Sequence, residues 1–287
     1  MSRHGDRGFR YTGCMSSLLY GATPWLACAG YVLLCFRLPS KTLAQALGMA
    51  AIALHGAALI PAWFQSDSLR FGFAFAMSWM LWLAVLTLWI EAWTQRSGRL
   101  MLFVYPVAAI AVLLPHWFPG APVAMEASPL SRLHILLAML AYSAFFVAAV
   151  YAVLMLGQER ALHRNASPSP LWEELPPLLA LDRLLVRTVS LGFGLLTATL
   201  VSGGLVLSTE GLGWFRLDHK TVFTLATWLM VAVFLWGRYQ WGWRGRLASR
   251  FTLGGFGLLV LAYIGSRFVL EVLIGQPVTP VSPVGGA

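Results

Sequence analysis

The chain has 287 residues, of which 59% are hydrophobic and only 11% charged, where a soluble domain carries about 25% charged residues. This excludes a soluble enzyme, a disordered chain and a secreted disulfide domain, and leaves an all-α polytopic membrane protein. The net charge of +9 does not point to nucleic acid, because the Lys and Arg residues fall between apolar runs, where they orient a membrane protein in the lipid bilayer.

A spanning helix needs about 20 mostly apolar residues. Eight runs approach this length: 17–36, 43–64, 71–93, 100–116, 132–156, 185–208, 220–241 and 250–274. A bundle of about eight transmembrane helices is therefore predicted. The first run holds Cys28 and Cys35, seven residues apart, which act there as small apolar residues. With Cys14 they are the only cysteines; no CxxC or CxxCH occurs, so neither a thioredoxin-like site nor covalent c-type haem is expected. The third run has a clean apolar interior, and the fourth is the shortest and carries Pro106. Between runs four and five, 115–129 holds four prolines and Glu126, and reads as a connector or a cover over an outer cavity. Between runs five and six, 163–177 holds four prolines with Glu173 and Glu174, and reads as a partly extended cytoplasmic connector. Gly192, Gly194, Ala198 and Ser202 in run six, and Gly254, Gly255 and Gly257 in run eight, are expected to allow close helix packing. The chain is expected to be one transmembrane domain, 15–276, with a tail at 277–287.

Orientation follows from Lys and Arg in short loops. Arg37, Lys41, Arg96, Arg99, Arg160, Arg164, Arg183, Arg187, Arg238, Arg244, Arg246 and Arg250 share one side; Arg70, Arg132, Arg216 and Lys220 share the other. The first, richer side is expected to be cytoplasmic, with both termini outside. Arg3, Arg7 and Arg10 run against this rule. Residues 1–14 are either a translocated tail or an extension upstream of a true start at Met15, and intact mass separates the two.

Six histidines can supply imidazole to a metal or haem iron. His4 and His163 fall in a tail and a loop. His55 sits inside run two, where an ionisable side chain is costly and is either a ligand or bonded to a neighbouring helix. His134 opens run five, His219 opens run seven and His116 ends run four, all on the outer side. Together they suggest an outward cavity able to hold a metal or haem; the plainer reading is interfacial polarity. Before run seven, Trp214 and Phe215 offer aromatic surface and Asp218 is placed to cap the helix. Lys220 is placed to meet Asp218 or an anion. Arg267 either pairs with Glu271, four residues on, or contacts a carboxylate such as a haem propionate. No GxxxxGK[ST], HExxH or GxSxG occurs.

From Gly203 to Ile264 the sequence resembles the C-terminal core of the cytochrome c assembly proteins, the haem-handling membrane proteins of the CcsA and CcmC type. Gly203, Gly204, Asp218, Lys220, Thr227, Trp228, Leu229 and the run GWRG at Gly242 to Gly245 fall in the family's register. The helix beginning LHILLAMLAYSAF, with His134, and the helix carrying His55 are similar to the family's histidine-bearing helices. Length and helix number look most like the shorter YpjD-type inner membrane members.

The resemblance implies non-covalent b-type haem, handled at the outer face of the bacterial inner membrane during cytochrome c maturation, with no bond-making catalysis. Its partners would be other cytochrome c maturation or membrane proteins. It assigns His134 and His55 as haem-iron ligands. The family's partner for His55 is replaced by Trp236, and no histidine follows His219, so each histidine pair keeps one member. In one reading haem is still bound, with His219 or His116 as a new partner, Phe215 and Trp214 packing the macrocycle, and Arg267 or Lys220 at the propionates. In another the fold serves as a membrane partner or regulator without haem transfer, as HemX-type relatives suggest. A third reading is a small-molecule permease.

Overall fold

The computed structural model describes residues 21–36, 40–64, 69–70, 72–94, 98–120, 122–123, 128–163, 175–209, 211, 213–214, 218–269 and 272. Residues 1–20, Phe215 and Glu271 lie outside them, as does the side chain of Arg267. Each of the eight apolar runs contains helix. The helices are α1 Gly21–Leu34, α2 Lys41–Phe64, α3 Phe73–Thr94, α4 Tyr105–Ala111, α5 Leu114–Trp117, α6 Pro129–His163, α7 Leu178–Thr209, α8 His219–Trp241 and α9 Arg246–Val260.

Six of the described helices are long and apolar enough to cross a membrane, and α1 and the α4–α5 segment are shorter. The fourth run is broken by its prolines. A 3-10 segment, Gly98–Phe103, precedes α4, and Pro106 and Pro115 stand in the first turns of α4 and α5. There the missing N–H is harmless; inside one continuous helix each proline would remove a bond and clash with the preceding turn.

The long hairpin of α6 and α7 is the spine. His134 meets Ser202 at one end, Phe145 packs on Gly192 in the middle, and Gln158 bonds the carbonyl of Pro176 at the other. The two helices therefore run antiparallel. Gly192 is small because a Cβ there would lie 3.2 Å from the Phe145 ring. Gly194 faces open space, as does Gly257, so neither serves the close packing expected of it. Two residues along a helix turn the direction by about 200°, which sends Gly194 away from the face that Gly192 uses.

α9 lies on α6 through Phe146–Phe256 and on α8 through Phe234–Phe251, and Thr227 reaches the Gly255 carbonyl. α3 packs between α2 and α6. Trp82 donates to the Ile52 carbonyl (2.8 Å), and Tyr151 of α6 donates to the Glu91 carboxylate of α3. A two-residue antiparallel pair joins the stretch after α2 to the stretch before α6, with Leu69 opposite Val123 and Arg70 opposite Pro122. After Val260, α9 widens into one π turn, Leu261–Gly265.

Candidate functional site

A cavity of about 350 Å³ opens where α6 begins, α7 ends, α8 begins and α9 ends. Its volume lies at the small end of ligand sites. Leucine, alanine, valine, isoleucine and methionine side chains form most of the wall; the polar groups cluster at His134, Asp218, Lys220 and three threonines. His134 lines it together with Trp214, Asp218 and Lys220, which follow about 80 positions later in the sequence.

His134 is brought into the wall by the start of α6. Its Nδ1 lies 3.0 Å from Ser202 Oγ. A Cβ on Gly203 would lie 3.1 Å from His134 Cε1, and one on Gly204 would lie 3.2 Å from the Trp214 ring and carbonyl. The two glycines thus make room for the imidazole and the indole side by side. Trp214 is 63% exposed, so it stands at the mouth.

Asp218 caps α8 as predicted. Its Oδ1 accepts from Thr221 N and Thr221 Oγ1, both at 2.9 Å. Partial burial pushes its carboxyl up, but the Thr221 bonds and the charges of Lys220 and His219 outweigh this and hold it below the usual carboxylate range. The charge of Lys220 acts on Asp218, and its Nζ also sits 5.6 Å from the centre of the Tyr263 ring. An ammonium over an aromatic face keeps its charge while lying along an apolar wall.

The other histidines stand elsewhere. His219 is exposed and does not line the cavity. His116 is exposed and packs edge-on against Trp25, with ring centroids 5.9 Å apart. His55 is fully buried among α1, α2 and α3, with Nδ1 at 3.1 Å from Tyr31 Oη and Nε2 at 2.9 Å from Ser78 Oγ. Both its nitrogens are engaged, so ligation of iron would require one of these bonds to be released. Among the described residues no group of three or more His, Cys, Asp and Glu is placed to hold a metal ion.

The family described as Cytochrome C assembly protein matches residues 41–274. The chain belongs to the cytochrome c assembly family. The match runs from α2 past the end of the described part of α9 and includes every cavity-lining residue. Inner membrane protein YpjD of Escherichia coli (strain K12) is 31% identical over 185 residues, which is 64% of this chain and 69% of that protein. A 28.8 kDa protein of Azospirillum brasilense is 32% identical over 215 residues, covering 74% of this chain and 78% of its own length. Cytochrome c biogenesis protein CcsA of Synechococcus sp. is 33% identical over 121 residues, 37% of this chain and 34% of that longer protein.

In this member of the assembly family, several residues that carried the resemblance do structural work. Trp228 stacks on Phe193 and donates to Thr197 Oγ1 (2.9 Å), tying α8 to α7. In GWRG, Gly242 takes the left-handed conformation (φ +67°) that ends α8, and Trp243 folds back onto Phe251. Arg238 grips Asp182 through two nitrogens (3.1 and 2.7 Å) and also donates to the Trp243 carbonyl. Neither this pair nor Glu159–Arg246 (2.9 Å) was predicted; their partners lie 56 and 87 positions apart, beyond any local pattern. Tyr142, which donates to the Leu259 carbonyl (2.7 Å), was missed for the same reason.

Proposed function

We propose that the protein binds b-type haem non-covalently in this cavity and presents it during cytochrome c assembly. The carrying observation is the convergence of one imidazole, one ammonium and one indole on a single apolar cavity. Membership of the assembly family supports a role in cytochrome c biogenesis, and the YpjD relative supports a place in the inner membrane as a multi-pass protein.

The residues present fit the group in kind. Haem, when bound, would supply an iron that needs axial donors and carboxylates that need a cation. His134 offers the imidazole, with Gly203 leaving space for its ring. Lys220 offers the cation, and Arg267 is the alternative that the sequence names for the same role. Trp214 offers a flat apolar surface, and Phe215 follows it in the chain. Contacts of this kind are stronger against an apolar wall than in water.

His55 and His219 remain candidate ligands of a second kind. His55 would have to exchange a hydrogen bond for a metal bond, and His219 would have to turn inward. A second reading is favoured by one specific observation: among the described residues no histidine but His134 lines the cavity. A HemX-like partner or regulator, lacking the second axial donor, would hold such a site.

The test is the absorption spectrum of protein purified in mild detergent from haem-replete cells, with pyridine haemochrome quantification. Near-stoichiometric b-type haem, with a Soret band lost or shifted in His134→Ala, is the expected result. Protein that stays free of haem after haem addition would overturn the proposal in favour of the partner reading.

A further inference from the structure

We infer that Ser202 is a positioning residue that fixes the tautomer of His134, so that Nε2 is the nitrogen whose electron pair is left to the cavity. The identity of the ligand rests on the haem reading; the tautomer does not.

Ser202 has one hydroxyl proton. Its Oγ donates that proton to the Thr199 carbonyl one helical turn back, at 3.0 Å. Toward His134 Nδ1, also at 3.0 Å, the same oxygen is then an acceptor. The imidazole must donate, so the proton of the neutral ring resides on Nδ1. Ser202 and Thr199 are 5% and 8% exposed, so both members of this relay are buried.

The second nitrogen carries the lone pair and stands in a wall residue of the cavity. Gly203 completes the arrangement, because any side chain there would meet the ring at Cε1, the carbon between its two nitrogens. The contrast with His55 is informative: that ring is bonded at both nitrogens and does not line this cavity. The His134 ring is bonded to Ser202 Oγ and also faces the Thr199 carbonyl, so the two residues that carry the relay hold it together, as outer partners hold a ligating histidine.

The experiment uses full-length protein in detergent, labelled with 15N-histidine, first without haem. The imidazole 15N shifts report which nitrogen is protonated, and the His134 signals are identified by their loss in His134→Gln. Wild type is expected to be protonated on Nδ1, Ser202→Ala to move the population toward Nε2 protonation, and Ser202→Thr to restore it. Haem titration should then show Ser202→Ala weaker by roughly 10–100-fold and Ser202→Thr close to wild type. A merely structural serine would leave the tautomer unmoved. Wild-type protonation on Nε2, or an unchanged tautomer in Ser202→Ala, overturns the inference. Tautomer shifts as expected with no haem bound by any variant would uphold the positioning role and overturn the proposed function.

Discussion

At the scale of single residues, Gly203 and His55 make opposite predictions. Gly203→Ala would place a Cβ 3.1 Å from His134 Cε1, so the ring or α7 must give way. Haem affinity measured by titration should fall, on the order of tenfold, while the helical circular dichroism signal stays as in wild type. Gly257→Ala is the control: its Cβ meets nothing within 4 Å, so it should stabilise slightly, by about 0.5–1 kcal/mol, and leave the spectrum unchanged. His55→Ala removes the partner of two buried hydroxyls, Tyr31 and Ser78. Each hydroxyl left unpaired costs about 1–3 kcal/mol, so thermal unfolding in detergent should shift down sharply. If a Soret band disappears without that shift, His55 acts as a ligand. The Asp218 cap was legible because an acid just before a helix is a local signal. The His134–Ser202 contact was not: its partners lie 68 positions apart, and Ser202 read only as a small packing residue.

At the scale of elements, the joints between helices carry the buried charges. Arg238 and Asp182 are 17% and 6% exposed and bond through both guanidinium ends. Arg238→Ala would leave a buried carboxylate alone, at a cost of about 3–5 kcal/mol. Adding Asp182→Ala to it should recover part of the loss, which a double-mutant cycle of unfolding free energies measures. The α8 cap gives a pH dependence with a fixed sign. The folded carboxyl of Asp218 is depressed, so its contribution is fully present above the ordinary carboxylate pKa and fades as pH falls through the lower, folded value. Asp218→Ala should therefore lower the unfolding temperature at neutral pH, and the difference from wild type should shrink in acid. The apolar runs marked every helix, since hydropathy needs no partner to be read. What they blurred was the fourth run, where Pro106 and Pro115 each begin a helix instead of kinking one.

For the whole molecule, the cavity and a cluster of five arginines occupy opposite ends of the same bundle. His134 at the start of α6, Ser202 near the end of α7 and Lys220 at the start of α8 share one end. Arg160, Arg183, Arg187, Arg238 and Arg246 sit toward the other ends of those helices and at the start of α9. If the arginine-rich end is cytoplasmic, the cavity faces outward. Single cysteines placed at Ser128 and at Arg244, in a variant lacking the native cysteines, should be labelled by a membrane-impermeant thiol reagent in intact spheroplasts at Ser128 only. Labelling at Arg244 alone would invert the assignment.

The π turn Leu261–Gly265 sets a rule about chain length. It is in effect one residue inserted into an otherwise regular helix, and such turns gather at functional sites. Ala262 and Tyr263 of this turn line the cavity, Ser266 Oγ donates to the Ala262 and Tyr263 carbonyls, and beyond it Phe268 packs edge-on against Phe73 of α3. Deleting a single residue between Leu261 and Gly265 would let the helix close to the regular α form while the residues after it keep their direction, because the wide turn already absorbs the extra residue. Phe268 would stay on α3, and the change would fall on Ala262 and Tyr263 in the cavity wall. Loss of one residue here therefore unseats the cavity wall rather than the end of the helix, so relatives that keep the cavity should keep the extra residue when their sequences are aligned.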